Sequence, residues 1–236
     1  MDGRVPEVLN AIELVIFDMA GTTVDDRAAG SSFVVTALVQ AFERANITVS
    51  PEAVGRHRGK EKIEAIRSLL RSHAASDTKR LESRSAVIHA DFLSALHRGL
   101  DQLEELEGTT ATFRFLKDRG IRVGVGSGFP AEVVERLIVN LGWRAAGLID
   151  YAGSAEAVGA SRPDPKMIRH AMACLGVTNP GRVLKVGDTV VDVEEGRNAG
   201  AWTAAVLTGS QSEEVLRMAG PDFLLPSIRE VVGLFA

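Results

Sequence analysis

The sequence predicts an α/β fold, a doubly wound parallel sheet with a helical insert, and three observations carry that expectation. Four short apolar runs, at 14–18, 121–127, 183–188 and 202–208, each end in small or acidic residues. They are continuous rather than alternating, as suits parallel strands covered on both faces. Helical patterns at 131–141 and 165–175 lie between runs, and each is closed by a glycine, Gly142 or Gly176, a common helix-end signal. Residues 26–103 differ: strand-like runs are missing, and helical periodicity covers 31–43, 60–72 and 81–97.

Strands alternating with helices give a doubly wound sheet. The long helical stretch after the first strand reads as an insert. The expected division is a core of residues 1–25 plus 104–236 and a helical cap of 26–103, with hinges near 24–27 and 103–108. In sheets of this kind ligands gather at the carboxyl ends of the strands. Asp18, Ser127 and Asp188 all fall there.

Composition narrows the function classes. The 236 residues are 45% hydrophobic and 25% charged, with a net charge of −4, ordinary for a soluble globular chain. A mild negative balance gives nucleic acid no basic face to bind. Cys174 is the single cysteine, so no disulfide framework or thiol metal site is expected. The opening Met1-Asp2-Gly3-Arg4 lacks a signal pattern, and no apolar run approaches spanning length. A cytoplasmic protein without membrane partners is the expectation.

Four elements carry chemistry. Asp18 ends the first strand and is followed by Ala20-Gly21-Thr22-Thr23; such an acid either caps a turn or stands exposed on a rigid base. Ser127-Gly128 puts a hydroxyl and a backbone N–H at a second strand end, suited to a phosphate oxygen or to capping a helix before Pro130. Arg162 precedes Pro163 in a loop that opens a helix. There a guanidinium can neutralise a phosphoryl group and Asp18 together, or simply face solvent. Asp188 and Asp192 are four apart at a strand tip. With Asp18 they form a hard oxygen cluster suited to Mg²⁺. Lys166 and Lys185 read as ordinary lysines.

The four elements in this order resemble the haloacid dehalogenase superfamily of aspartate-nucleophile hydrolases, with a Rossmann-like core and an inserted helical cap. The resemblance implies that Asp18 attacks phosphorus and carries the phosphoryl group. It implies Mg²⁺ held by Asp18, the Ala20 carbonyl and Asp188, with Asp192 close by. It also implies that Ser127, Gly128 and Arg162 steady the transferring group. Positioning and charge neutralisation are what phosphoryl transfer needs.

In ordinary phosphatases of that superfamily an acid two residues after the nucleophile protonates the leaving alkoxide; here Ala20 stands there. The Asp18-Met19-Ala20-Gly21-Thr22-Thr23-Val24-Asp25 run is similar to that of phosphonoacetaldehyde hydrolases. Those enzymes cleave a C–P bond after a cap lysine forms an imine with the aldehyde. By that resemblance the lysine is Lys62, three residues after Gly59. Helical spacing agrees: Lys62 aligns with Ile66 and Leu69 on the edge of the apolar face, whereas Lys60 lies on a solvated stripe with Glu64, Arg67 and Arg71. Partial desolvation and nearby Arg58 both favour the neutral amine.

Two positions near Lys62 depart from the pattern, as does the Asp25-Asp26-Arg27-Ala28 run after the first motif. Arg58 replaces a methionine, pointing to a more anionic substrate, and Ala65 replaces a histidine, removing a proton carrier. The substrate is therefore expected to be a small phosphonate or a phosphate ester. The alternatives to imine chemistry are a phosphatase in which Lys62 and Arg58 bind anions and a silent binder of a phosphorylated metabolite. A homodimer is a family-level expectation.

Overall fold

The computed structural model describes residues 7–28, 31–57, 61–73 and 78–235. Its centre is a sheet of six strands: β1 (Leu14–Phe17), β2 (Arg122–Ser127), β3 (Tyr151–Ser154), β4 (Val183–Gly187), β5 (Trp202–Val206) and β6 (Phe223–Leu225). The spatial order is β6-β5-β4-β1-β2-β3, with every neighbouring pair parallel. β1 lies between β2 and β4, so the winding reverses beside it. That is the switch point at which doubly wound sheets form their crevice.

The apolar runs become strands because both faces of the sheet are covered. All four residues of β1 are fully buried, and they alternate between two layers. Val15 and Phe17 face a cluster with Val123, Val125, Phe113 and Trp143, whereas Leu14 and Ile16 face Ile168, Ala171 and Met172. The first layer is built by α5 (Thr109–Asp118) and α6 (Ala131–Asn140), the second by α8 (Lys166–Leu175). Phe113 sits 5.1 Å from Phe17 and 5.3 Å from Trp143, ring centre to ring centre. The Trp143 indole N–H donates to Glu105 Oε2 at 3.0 Å. Each such large side chain contributes about 1.5–3 kcal/mol by leaving water.

Between β1 and β2 come α1 (Phe33–Arg44), α2 (Pro51–Gly55), α3 (Lys62–His73) and α4 (Thr78–Gly99). Ser32 and Ser50 accept hydrogen bonds from Val35 and Ala53 and so cap the first two of these helices. Phe42, Ile66, Leu69, Ile88, Phe92 and Leu96 bury the shared face. The chain leaves the sheet through Val24–Asp25 and returns through Glu104–Glu105, and these two segments pair antiparallel. The places expected to be hinges are thus one hydrogen-bonded ribbon, extended by Leu106 N–H to the Thr23 carbonyl at 2.9 Å.

The later core helices are α7 (Ala155–Val158), α9 (Val190–Ala199) and α10 (Glu213–Ala219). Among the described residues no helix is long and apolar enough to cross a membrane.

Candidate active site

The carboxyl ends of β1, β2 and β4 bring the charged groups together. Asp18 follows β1 directly and is buried, as are Asp188 after β4 and Asp192 in the first turn of α9. The backbone here is fixed by threonines. Thr23 Oγ1 donates to the Asp18 carbonyl at 2.9 Å, and Thr22 Oγ1 donates to Asp188 Oδ1 at 3.0 Å. Gly21 turns the chain with φ +88°, a conformation that L side chains resist. Its carbonyl accepts from Thr208 Oγ1 at 2.7 Å.

Asp18, Asp188 and Asp192 each offer a carboxylate oxygen within 4.8 Å of the others. Three hard oxygens at that spacing fit a divalent cation such as Mg²⁺ or Mn²⁺. The backbone that approaches the Asp188 carboxylate most closely carries no side chains. A Cβ at Gly209 would stand 1.8 Å from Asp188 Oδ2, and one at Gly21 would stand 2.8 Å from it. Glycine at both places keeps that oxygen approachable.

Arg162 reaches the cluster from the loop before α8 and is joined to Pro163 by a cis bond. Its Nη1 donates to Asp18 Oδ1 at 2.8 Å and to Asp192 Oδ1 at 2.9 Å. Asp192 Oδ2 accepts from the Thr189 N–H at 3.2 Å and from Thr189 Oγ1 at 2.5 Å, closing a capping box on α9. Both Asp192 oxygens are therefore well supplied with donors. Burial pushes the Asp18 carboxyl above the ordinary carboxylate range, against the pull of Arg162 and with the Asp192 charge adding to the rise. For Asp192 burial also raises, but Lys185 and Arg162 outweigh it and hold the group ionised. Burial disfavours the Arg162 charge as well, yet Asp18 and Asp192 more than offset it.

The helical segment closes this site from above. Lys62, the first residue of α3, is only 7% exposed. Its ammonium stands 5.3 Å from the centre of the Phe129 ring, within cation–π range. Asp18, Ala20, Val34, Lys62, Ser127, Phe129, Arg162 and Thr189 line one cavity of about 10 Å³, room for about one water. The neighbouring Glu61 N–H donates across the seam to Ser161 Oγ at 3.2 Å.

Thus Asp18, Ala20, Lys62, Ser127 and Arg162 converge on one space, with Asp188 and Asp192 behind. Ser127 is buried, and its Oγ accepts from the Phe129 N–H at 3.2 Å, across the bend that holds Gly128. Arg58, Gly59 and Lys60 lie outside the described residues. Lys166 is exposed, as read. Lys185 is not the ordinary lysine expected: it is 1% exposed, 3.1 Å from Asp192 Oδ1 and 3.3 Å from Glu195 Oε2. Glu195, Phe129 and Gly209 also border the site, with no role read for them from the sequence. A lysine inside an otherwise apolar strand is the sequence signal for Lys185.

The family model of haloacid dehalogenase-like hydrolases matches residues 12–200. A phosphonoacetaldehyde hydrolase of Lysinibacillus sphaericus is 33% identical over 210 residues, covering 84% of this chain and 76% of that one. A hydrolase from Pseudomonas syringae superposes with a TM-score of 0.81 at 19% identity, over 94% of this chain and 96% of that one. A phosphonoacetaldehyde hydrolase-like protein from Oleispira antarctica gives 0.78 at 22%, over 95% and 91%. These last two speak for the fold. With strand order, acid cluster and family match in agreement, the chain belongs to the haloacid dehalogenase-like hydrolases.

Proposed function

We propose that this hydrolase cleaves the carbon–phosphorus bond of a small phosphonate bearing an aldehyde or ketone, phosphonoacetaldehyde or a relative. Asp18 is the nucleophile and Lys62 the imine former. One observation carries the reading: a buried lysine shares a cavity with Asp18 and Arg162, while the position of the usual proton donor is Ala20. The relatives of about 30% identity that carry the name phosphonoacetaldehyde hydrolase support it.

Lys62 Nζ adds to the substrate carbonyl, and water leaves to give a protonated imine. An Asp18 oxygen attacks phosphorus as the P–C bond breaks, and that bond's electron pair moves into the imine to form an enamine. The leaving group therefore departs as neutral enamine, and an acid at position 20 has nothing to protonate. Protonation at carbon and hydrolysis release the aldehyde and the free amine, and a second water splits the aspartyl-phosphate. Arg162, 2.8 Å from Asp18, neutralises the transferring group with the Ser127 and Gly128 donors. Mg²⁺ held by Asp18, Asp188 and the Ala20 carbonyl, with Asp192 behind, would supply further charge neutralisation.

The cavity is too small for any phosphonate, so residues 26–103 act as a cap that opens for entry and excludes water when closed. The same reading places the chain in the cytoplasm with Mg²⁺ as its ion, without nucleic acid or membrane as partners, and as a homodimer.

Borohydride trapping tests the imine. Protein incubated with phosphonoacetaldehyde and Mg²⁺, reduced and digested, should carry a substrate-dependent adduct at Lys62, and Lys62→Arg should lose both adduct and turnover. Trapping at control level would sink the imine step.

A second reading is a phosphatase of a small organophosphate in which Lys62 only binds the anion. Ala65 favours it: buried at 1% exposure one turn along α3, it offers no proton carrier where the similar hydrolases have histidine. Its mark would be turnover of phosphate monoesters without any adduct.

A further inference from the structure

Two charged residues that the proposed reaction does not use lie buried behind it. Lys185 sits within β4 and Glu195 on the buried face of α9. A buried ion needs counter-charges and good geometry to be tolerated, and here the geometry leads to the nucleophile. Lys185 Nζ is 3.3 Å from Glu195 Oε2 and 3.1 Å from Asp192 Oδ1. Arg162 Nη1 touches that same Asp192 oxygen at 2.9 Å, faces Glu195 Oε2 at 4.0 Å and reaches Asp18 Oδ1 at 2.8 Å. Two cations share one aspartate oxygen, and Glu195 is the counter-charge that keeps both there.

Beyond the Lys185 ammonium 3.3 Å from Oε2, neither Glu195 oxygen has a donor among the described residues. A carboxylate retained only to stabilise the fold would normally be satisfied by donors; this one has only charges to answer to. Asp18, Asp188, Asp192 and Glu195 against Arg162 and Lys185 leave a formal charge of −2. One divalent cation neutralises that sum.

We infer that Lys185 and Glu195 are a positioning pair that sets the fixed charge of the metal cluster and holds Arg162 on Asp18. The inference rests on the cluster being a divalent-cation site, as proposed above. Its signature is a pair of opposite effects. Lys185→Met adds one net negative charge beside the cluster and should tighten Mn²⁺ binding. Glu195→Gln removes one and should weaken it. Each change should be roughly tenfold in Kd, and Lys185→Met/Glu195→Gln, which restores the sum, should return to within about threefold of the parent. In all three kcat should fall at least about tenfold, because Arg162 has lost its hold, with KM changing less.

The first experiment is titration of substrate-free protein with Mn²⁺, free ion read by electron paramagnetic resonance, alongside melting curves. A pair that only stabilises the fold would loosen Mn²⁺ in both single variants, and that common sign would overturn the inference. Should either single variant fail to fold, the double variant decides, since it leaves neither charge unpaired: parent-like Mn²⁺ affinity with reduced kcat supports the inference, and lost Mn²⁺ binding or unchanged kcat overturns it. Absence of Mn²⁺ binding in the parent protein would instead remove the metal reading on which it rests.

Discussion

Lys62 and Phe129 meet across the seam between helical segment and sheet, the ammonium 5.3 Å from the ring centre. The ring belongs to the bend, with Gly128, that follows Ser127 at the end of β2. One aromatic side chain therefore ties the proposed imine former to the proposed phosphate donors.

Phe129→Leu keeps the apolar volume roughly but removes the π face. The same ring face would hold the protonated imine, and losing that cation–π contact, about 1–2 kcal/mol, should lower kcat/KM roughly tenfold. Thermal stability should fall by about 1 kcal/mol or so, as for other trimmed core side chains. Steady-state kinetics with Phe129→Leu and Phe129→Tyr check it; equal loss in both would show that shape rather than the ring face matters.

Gly209→Ala should weaken divalent-cation binding without unfolding the chain. The added methyl would lie 1.8 Å from Asp188 Oδ2, so that carboxylate must move. Gly209 has no positive φ, so backbone strain does not confuse the outcome. Calorimetric Mg²⁺ titration should show affinity at least tenfold weaker, with a melting temperature lowered by the overpacking but a cooperative transition retained.

Ala20→Asp separates the two proposed reactions. A carboxyl here can protonate an alkoxide but adds nothing to an enamine leaving group. Phosphonate cleavage should therefore not improve, and the extra negative charge should slow it. A rate gain on poor-leaving-group phosphate monoesters, with retained folding and metal binding, would favour the phosphatase reading.

Tyr151, the single tyrosine of the chain, gives a test free of the active site. Burial pushes its phenol up to about 12, and its OH lies 3.0 Å from His170 Nδ1. Phenolate absorbance in the native protein should rise well above the ordinary pH of about 10. The unfolded phenol releases its proton first, so this contribution is complete below about pH 10 and lost as pH climbs towards 12. Tyr151→Phe should remove that alkaline decline from the urea midpoint measured against pH.

The sheet was legible where it is apolar and opaque where it is not. β1, β2, β4 and β5 followed from their runs because covering both faces demands hydrophobic residues. β3 reads Tyr-Ala-Gly-Ser and β6 only Phe-Leu-Leu. Their strand character comes from neighbours: β3 pairs with β2, and β6 lies at the sheet edge beside β5. Asp18, Ser127, Arg162 and Asp188 were legible by position at strand ends and before helices. Lys185 was misread because its counter-charges lie on α9 and only the fold turns them back onto β4. Phe129 was missed for a related reason: an aromatic residue beside a buried lysine is invisible until both are placed.

The ribbon of Val24–Asp25 against Glu104–Glu105 has one more implication. The helices between 33 and 99 are entered and left at a single paired point, much as an electrical branch is wired through one plug. What hangs from that plug can lengthen, shorten or be exchanged without changing the distance between β1 and β2, since the entropy of closing the circuit is already settled at its base. The catalytic strands and the segment that covers them are thus free to diverge at separate rates, and a chimera carrying another helical insert between the same two pairs of residues should still fold its sheet.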